Sequence, residues 1–490
     1  MSHAQALPSN SESILATRNF LSAIREAGYL SLSTALAELV DNSIEADAQH
    51  VDVTISRRVG DDQPVIRVVD DGHGMTQEEM QQCLRFGGTI QFDRRESFGR
   101  FGMGLPMASL SQARRVEVVS WQDGHAPSQV CLDVDDGLSC ASTLPAQDQQ
   151  SSGWQDGGVS GCVVTWKRCD KVDYQRLGWA DKAVRRDLGR TYRRFLDAGL
   201  HITVNGAAVD SVDHLMVSTV IDGAHARLAF DPLTYDVKTT TGAVSTVTVR
   251  FSLLPVAAWH DLDNASKKRH GIVGTSGVSI LRAGREVARG WLLMGGKRKE
   301  NYDDWWRCEI CFEPDLDEQF GITINKQGIR PSSELRAALE PELESIARML
   351  NSRVRKVFED VRFQEASQAS CRIAADADCD LPVIGGQAQM RGPLRYCIDS
   401  QALPDSAMLR TTLKERTLRV TLNMDHPAFS ALYHPLQTLA EKPAADLRTA
   451  VELLVLSFAR SAVLLQESGW QYDDLIGTWS TTYGRMLRKS

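Results

Sequence analysis

Glu38, Asp41 and Asn42 stand at i, i+3 and i+4 in the stretch ELVDNSIEAD, so a helix places all three on one face. A glutamate there has the chemistry to orient and deprotonate a water within hydrogen-bond reach. The neutral amide oxygen of Asn42 suits Mg²⁺, which takes few protein ligands and keeps waters and phosphate oxygens. Asp70 follows in VVDDGHGM, where a strand delivers it into a turn. Gly72 and Gly74 let that turn's backbone approach a ligand closely. An ionised carboxylate only accepts hydrogen bonds, so Asp70 can receive an exocyclic amine such as adenine's. His73, in the variable slot of the turn, reads as incidental.

Two further segments extend the pattern. FGRFGMGLPMAS spaces Gly99, Gly102 and Gly104 as G-x-x-G-x-G directly before a helix, with Arg100 among them. Exposed backbone N–H groups at a helix N-terminus form an anion site, and triphosphate is a natural guest. The segment has neither the dinucleotide spacing nor the GK[ST] of a Walker loop. ITINKQGIRP puts Lys326 after an alternating strand, flanked by Asn325 and Gln327. A lysine so placed can reach across a domain boundary to a γ-phosphate. Singly, these segments read as a solvated helix face, a β-turn, a loop and an edge charge. Their order and intervals make the case.

The elements that position them follow from periodicity. Helices are predicted over 15–28 and 31–47, the second from Leu32, Leu36, Leu39, Val40 and Ile44. VDVTISRRV and PVIRVVDD read as strands, and Thr76–Phe86 as a helix with a Thr76/Glu79 capping box. Residues 87–104 are glycine-rich and lead into an apolar helix ending near Ala113. RRVEVVSW, QVCLDVD and GCVVTWKR are strands, separated by a polar loop over 135–160. DKAVRRDLGRTYRRFLDAG closes this unit as a helix, with Gly199 as its cap. Beyond residue 215 the texture turns to strands: STVTVRFSLLPV, GVSILRAGREV, RCEICFEP and FGITINKQ. A long amphipathic helix is expected over 333–366, interrupted at Pro341. After a polar stretch around 366–392 come a strand, LRVTLNM, and an apolar helix, Ala444–Gln466.

Composition sets the bounds. The 490 residues carry 55 Lys+Arg against 63 Asp+Glu, a net charge of −8, which excludes a chain that holds nucleic acid by bulk charge. The apolar fraction of 42% is that of an ordinary globular protein of about three domains. No apolar run is long enough to span a bilayer, so no membrane association is expected. MSHAQALPSNSES has no Lys, Arg or apolar core, which argues against a signal or transit peptide and for a cytoplasmic chain. Cys308 and Cys311 form a nominal CxxC on an alternating strand that sends the sulfurs to opposite faces. The ten cysteines read as structural thiols. His426 and His434, each followed by proline, read as structural. Trp305 and Trp306 read as core anchors, with base stacking as the alternative.

Taken together, Glu-x-x-Asp-Asn, Asp-x-Gly-x-Gly, G-x-x-G-x-G and a threonine after a strand at Thr165 resemble the GHKL superfamily. That superfamily comprises gyrase, the ninety-kilodalton heat-shock chaperone, histidine kinases and MutL. The resemblance covers residues 15–215. The NKQ after a strand looks like the second-domain lysine motif of MORC ATPases, so the chain is most similar to bacterial MORC-like ATPases. Pro106 departs from their pattern, which tends to lysine there. The fold implied is α/β (α+β). A Bergerat-type ATP-binding sandwich (15–215) follows a polar segment (1–14). A β-rich α/β transducer domain (216–332), a connecting helix (333–366) and a small C-terminal α/β domain (367–490) complete it.

The resemblance makes Glu38 the general base, with Lys326 as the transducer lysine in the catalytic set. Asn42 becomes the Mg²⁺ ligand, and Asp41 a support for the helix face. Asp70 reads adenine, with Gly72, Gly74 and Met75 shaping its turn. Gly99, Arg100, Phe101, Gly102, Met103 and Gly104 hold phosphate at the base of a lid over 87–100, and Thr165 lies behind the adenine pocket. ATP and Mg²⁺ are the implied cofactors. An ATP-dependent homodimer clamping duplex DNA in genome defence or repair, with a nuclease or other defence partner, is the implied setting. The alternative is a nucleotide-sensing regulatory or chaperone-like module with little hydrolysis. Two basic clusters are candidate phosphate contacts: Arg185, Arg186, Arg190, Arg193 and Arg194 on the closing helix, and KRKE with Arg282 and Arg285.

Overall fold

The computed structural model describes residues 31–57, 63–88, 102–138, 159–172, 177–322, 328–384, 394–404, 407–433 and 442–466, with a few of their neighbours. Gly99, Arg100, Phe101, Lys326 and His434 lie outside the described residues, as do the polar first segment and most of the helix expected over 15–28.

The first unit comprises residues 1–255 and 262–350. It opens with α1 (Leu32–Glu45), whose N-terminus is closed by Ser31 accepting from the Thr34 backbone N–H at 3.2 Å. Strands β1 (His50–Ser56) and β2 (Val65–Asp70) follow, then α2 (Gln77–Cys83), α3 (Gly104–Gln112), β3 (Arg115–Trp121), β4 (Ser128–Asp133) and β5 (Gly161–Lys167). Helices α4 (Leu177–Thr191) and α5 (Arg193–Asp197) precede β6 (His201–Val204). The strands form one sheet in the order β4-β3-β5-β2-β1-β6, with two-residue strands at its edges. All these pairings are antiparallel except β1 with β6. Strict burial alternation along β1 and β2 leaves one sheet face for the helices. On that face Leu36, Leu39 and Val40 of α1 meet Val53, Ile66, Val68 and Trp166. The Thr76/Glu79 capping box forms as expected, Glu79 N donating to Thr76 Oγ1 at 3.2 Å and Thr76 N to Glu79 Oε2 at 2.8 Å.

A second sheet in the same unit joins β7 (Leu233–Lys238), β8 (Val244–Leu253), β9 (Gly277–Arg282), β10 (Arg285–Gly290) and β11 (Trp306–Phe312). Its order is β8-β11-β9-β10, with β7 on the outer edge of β8. Trp305 and Trp306 are buried, and Trp306 sits in the core against Phe251 with ring centroids 5.9 Å apart; this corrects the base-stacking alternative. The long helix α6 (Ser333–Asp378) runs twelve residues past its expected end and continues through exposed Pro341. Its first half is not a free connector. Leu335, Leu339, Leu343, Ala347 and Leu350 fill the core under the second sheet.

The second unit, residues 256–261 and 351–490, takes the other half of α6. Residues 366–378, expected in a polar linker, are helical, and Ala374 and Ala377 are core residues there. Strands β12 (Arg395–Gln401), β13 (Leu409–Lys414) and β14 (Thr417–Asn423) form a sheet in the order β12-β14-β13, with helix α7 (Lys442–Gln466) beside it. Leu453, Leu456 and Ala459 pack with Ile398, Leu418 and Val420. His426 Nδ1 accepts from the Ala428 backbone at 3.1 Å, the structural role expected of it.

Candidate active site

Asp70 ends β2 on the helix-bearing face of the sheet, because Ile66, Val68 and Asp70 share one parity of the strand. Its carboxylate is held on both oxygens. Ser43 Oγ donates to Oδ2 at 3.0 Å, and the Gly72 backbone N–H to Oδ1 at 3.1 Å. Burial pushes the Asp70 carboxyl above the ordinary aspartate range, while the Gly72 and Ser43 hydrogen bonds pull it back. The turn after it demands its glycines. A Cβ on Gly72 would sit 2.7 Å from that of Ala46, and one on Gly74, at φ +69°, would sit 2.0 Å from the Trp121 carbonyl oxygen.

A cavity of about 240 Å³ opens here, walled by α1, α2, β2, β5 and the start of α3. Asn42, Asp70, Gly74, Met75, Gly102 and Gly104 all line it. Leu105 and Pro106 of the first turn of α3 line it as well, so that helix starts on the cavity wall. Pro106 costs nothing there, because a first-turn N–H has no partner inside the helix. The Gly87 backbone N–H donates to the Gly102 carbonyl at 3.0 Å. Gly102 itself adopts φ +58°.

Glu38 stands beside this wall and is only 2% exposed. Its Oε2 lies so close to Gly104 that a Cβ added there would come within 2.6 Å. The buried Tyr29 hydroxyl bonds to the same carboxylate, and burial first, then the charge of Glu38, raise the Tyr29 pKa. Asp41 is fully buried. Its Oδ1 accepts from Arg285 Nε at 2.7 Å and from the Tyr192 hydroxyl at 2.7 Å.

Several expectations are corrected. Thr165 is not on the cavity: Cys162 and Val164 line it, and the opposite parity of β5 turns Thr165 to the other face of the sheet, between Arg67 and Glu117 in register. Met103 precedes α3 without lining the cavity, whereas His73, read as incidental, does line it. The His73 backbone N–H donates to Ala46 O at 2.9 Å, and its Nδ1 lies 2.6 Å from Gly74 O. Most arginines of the two clusters are held in ion pairs, while Arg186, Arg298 and Lys299 are exposed. Arg190 and Arg193 pair with Glu286 at 2.7 and 3.0 Å, and Arg193 and Arg194 with Glu309 at 2.6 and 2.8 Å. Arg185 meets Asp181 at 2.6 Å and Arg282 meets Asp317 at 2.7 Å. Lys297 of the KRKE turn is buried on Asp303 at 2.8 Å. Burial pushes the Cys311 thiol up to about 12, as a structural thiol requires.

Tyr29, Tyr192 and Arg285 were not legible as site residues in the sequence. Arg285 was visible only as one cation in a cluster, and nothing local marks either tyrosine.

Comparison with known proteins gives a family for this part of the chain. Residues 30–143 match the family described as histidine kinase-, DNA gyrase B-, and HSP90-like ATPase. The ATPase morc-1 of Caenorhabditis elegans is 33% identical over 91 residues, which cover 19% of this chain and 10% of that protein. The family match over residues 30–143 spans Glu38, Asn42, Asp70 and the glycines of the cavity wall. The chain therefore carries an ATPase domain of the GHKL type, distantly similar to a MORC ATPase.

Proposed function

We propose that the chain binds ATP with Mg²⁺ and hydrolyses it, Glu38 orienting and deprotonating the attacking water. One observation carries this reading: the carboxylate of Glu38 abuts Gly104, where the first turn of α3 opens onto the cavity. Phosphate seated against those backbone N–H groups would lie next to the base. Asp70, ionised and held by Ser43 and Gly72, would accept the exocyclic amine of adenine. Asn42 lines the same cavity as Gly102 and Gly104, so its amide oxygen fits a Mg²⁺ whose other ligands are phosphate oxygens and waters. That ion would neutralise developing charge on the phosphates. Arg100 and Lys326 would supply further cations to the γ-phosphate. Asn42, Asp70, Gly72, Gly74, Met75, Gly102 and Gly104 form the nucleotide-binding set of this reading.

In the same reading, ATP orders the lid and closes two chains into a homodimeric clamp, with lid opening limiting turnover. Duplex DNA and a place in genome defence or repair rest on the likeness of the sequence to MORC and MutL ATPases. With Arg190, Arg193 and Arg194 engaged in ion pairs, exposed Arg186, Lys268 and Arg269 are better placed to meet phosphate. The test is ATP turnover with and without duplex DNA, alongside sedimentation in a non-hydrolysable ATP analogue. Turnover with analogue-dependent dimers and DNA binding that weakens steeply with salt supports the clamp. Nucleotide binding without turnover or DNA binding would select the regulatory module instead.

A further inference from the structure

Asp41 sits between Glu38 and Asn42 on α1 and is wholly buried, so its charge needs a cation. That cation comes from a strand of the second sheet. Arg285, itself buried, reaches Asp41 Oδ1 at 2.7 Å across 244 residues of sequence. It opens β10 directly after a tight turn in which Ala283 and Gly284 take φ of +45° and +83°. The next residue, Glu286, holds Arg190 and Arg193 from α4 and α5. Successive strand residues ordinarily face opposite sides. Here Ile280 pairs with Ala288 but Leu281 with Glu286, which leaves Val287 as a bulge residue that re-aims its neighbours. One end of β10 therefore grips α1 through Arg285 and the closing helices through Glu286. Removing one partner of such a buried pair leaves the other's charge uncompensated.

We propose that Arg285 is a positioning residue for the ATPase site, acting through Asp41 to set the placement of Glu38 and to carry nucleotide occupancy into β9 and β10. The proposal rests on the ATPase reading of that site. It assigns to the second sheet a contact with the nucleotide helix distinct from the Lys326 segment.

The experiment uses the full chain as unaltered protein and as Arg285→Met, Asp41→Asn and the double variant. ATP affinity, kcat and KM are measured, with hydrogen exchange of the peptide 277–290 in the presence and absence of a non-hydrolysable ATP analogue. Arg285→Met should keep ATP affinity within about 2-fold and lower kcat by about 10–100-fold. It should also abolish the analogue-induced change in exchange at 277–290. The double variant, which buries no lone charge, should lose no more than either single change, as expected of residues acting as a unit. If Arg285→Met does not fold, the double variant carries the same test. Unchanged kcat with an intact exchange response, or affinity falling in step with kcat, would overturn the proposal. Absence of turnover in the unaltered chain would instead overturn the hydrolysis reading, and the exchange response, which needs only binding, would still decide the coupling.

Discussion

Glu38 and Gly104 meet so closely that a methyl group on Gly104 would sit 2.6 Å from Glu38 Oε2. Gly104 opens α3 without a left-handed φ, so its backbone tolerates alanine. Its smallness serves the carboxylate and not the turn. Gly104→Ala should therefore leave thermal stability unchanged or slightly raised, since alanine is the better helix former. Turnover should fall about 10–100-fold as the carboxylate is pushed from its place. Thermal unfolding and steady-state ATPase rates on the same preparation check both halves.

Asp70 gives a pH signature with two opposite signs. Burial raises its pKa, so the folded chain keeps a proton where the unfolded chain has lost it. Its contribution to stability is present below the unfolded value of 3.8 and is lost as pH rises through the raised folded value. On the proposed reading nucleotide affinity runs the other way, because the ionised carboxylate is the stronger acceptor for the adenine amine. Affinity should fall on acidification, beginning at a pH above the ordinary aspartate range. Asp70→Asn should weaken ATP binding by about 100-fold and remove the pH dependence. Calorimetric titration across mildly acidic to neutral pH measures this.

The parity of β5 yields a contrast between neighbours. Val164 lines the cavity and Thr165 faces away from it. Thr165→Val should leave nucleotide affinity unchanged, while Val164→Phe should obstruct the cavity and weaken binding at least about tenfold. Competition binding with a fluorescent ATP analogue distinguishes the two.

Arg193 belongs to the fold. It is 3% exposed and bonds Glu286, Glu309 and Ser279. Arg193→Ala leaves two buried carboxylates short of a partner and should cost about 3–5 kcal/mol in chemical denaturation. Any loss of DNA affinity should track that unfolding and not the removal of one charge.

What the sequence made legible follows from locality. Glu38, Asn42, Asp70 and the glycines announce themselves because helix and turn chemistry act within a few residues, and the structure brings Asn42, Asp70, Gly74 and Gly104 to one cavity. Thr165 was misplaced by one step because a short apolar run, GCVVTWK, does not say which parity faces in. Arginines 190, 193, 194 and 285 read as a basic surface because their acidic partners lie some ninety to 240 residues away, at Glu286, Glu309 and Asp41. The length of α6 was underestimated because Pro341 and the polar run after 366 look like breaks, whereas packing of Leu335–Leu350 and of Ala374 and Ala377 sustains the helix.

The most direct measurement compares ATP binding and single-turnover hydrolysis in the unaltered chain and in Glu38→Gln, a near-isosteric change that removes the base. The account predicts nucleotide affinity within about threefold of the unaltered chain and a hydrolysis rate lowered about 10²–10⁴-fold. Hydrolysis by Glu38→Gln at the unaltered rate would contradict it.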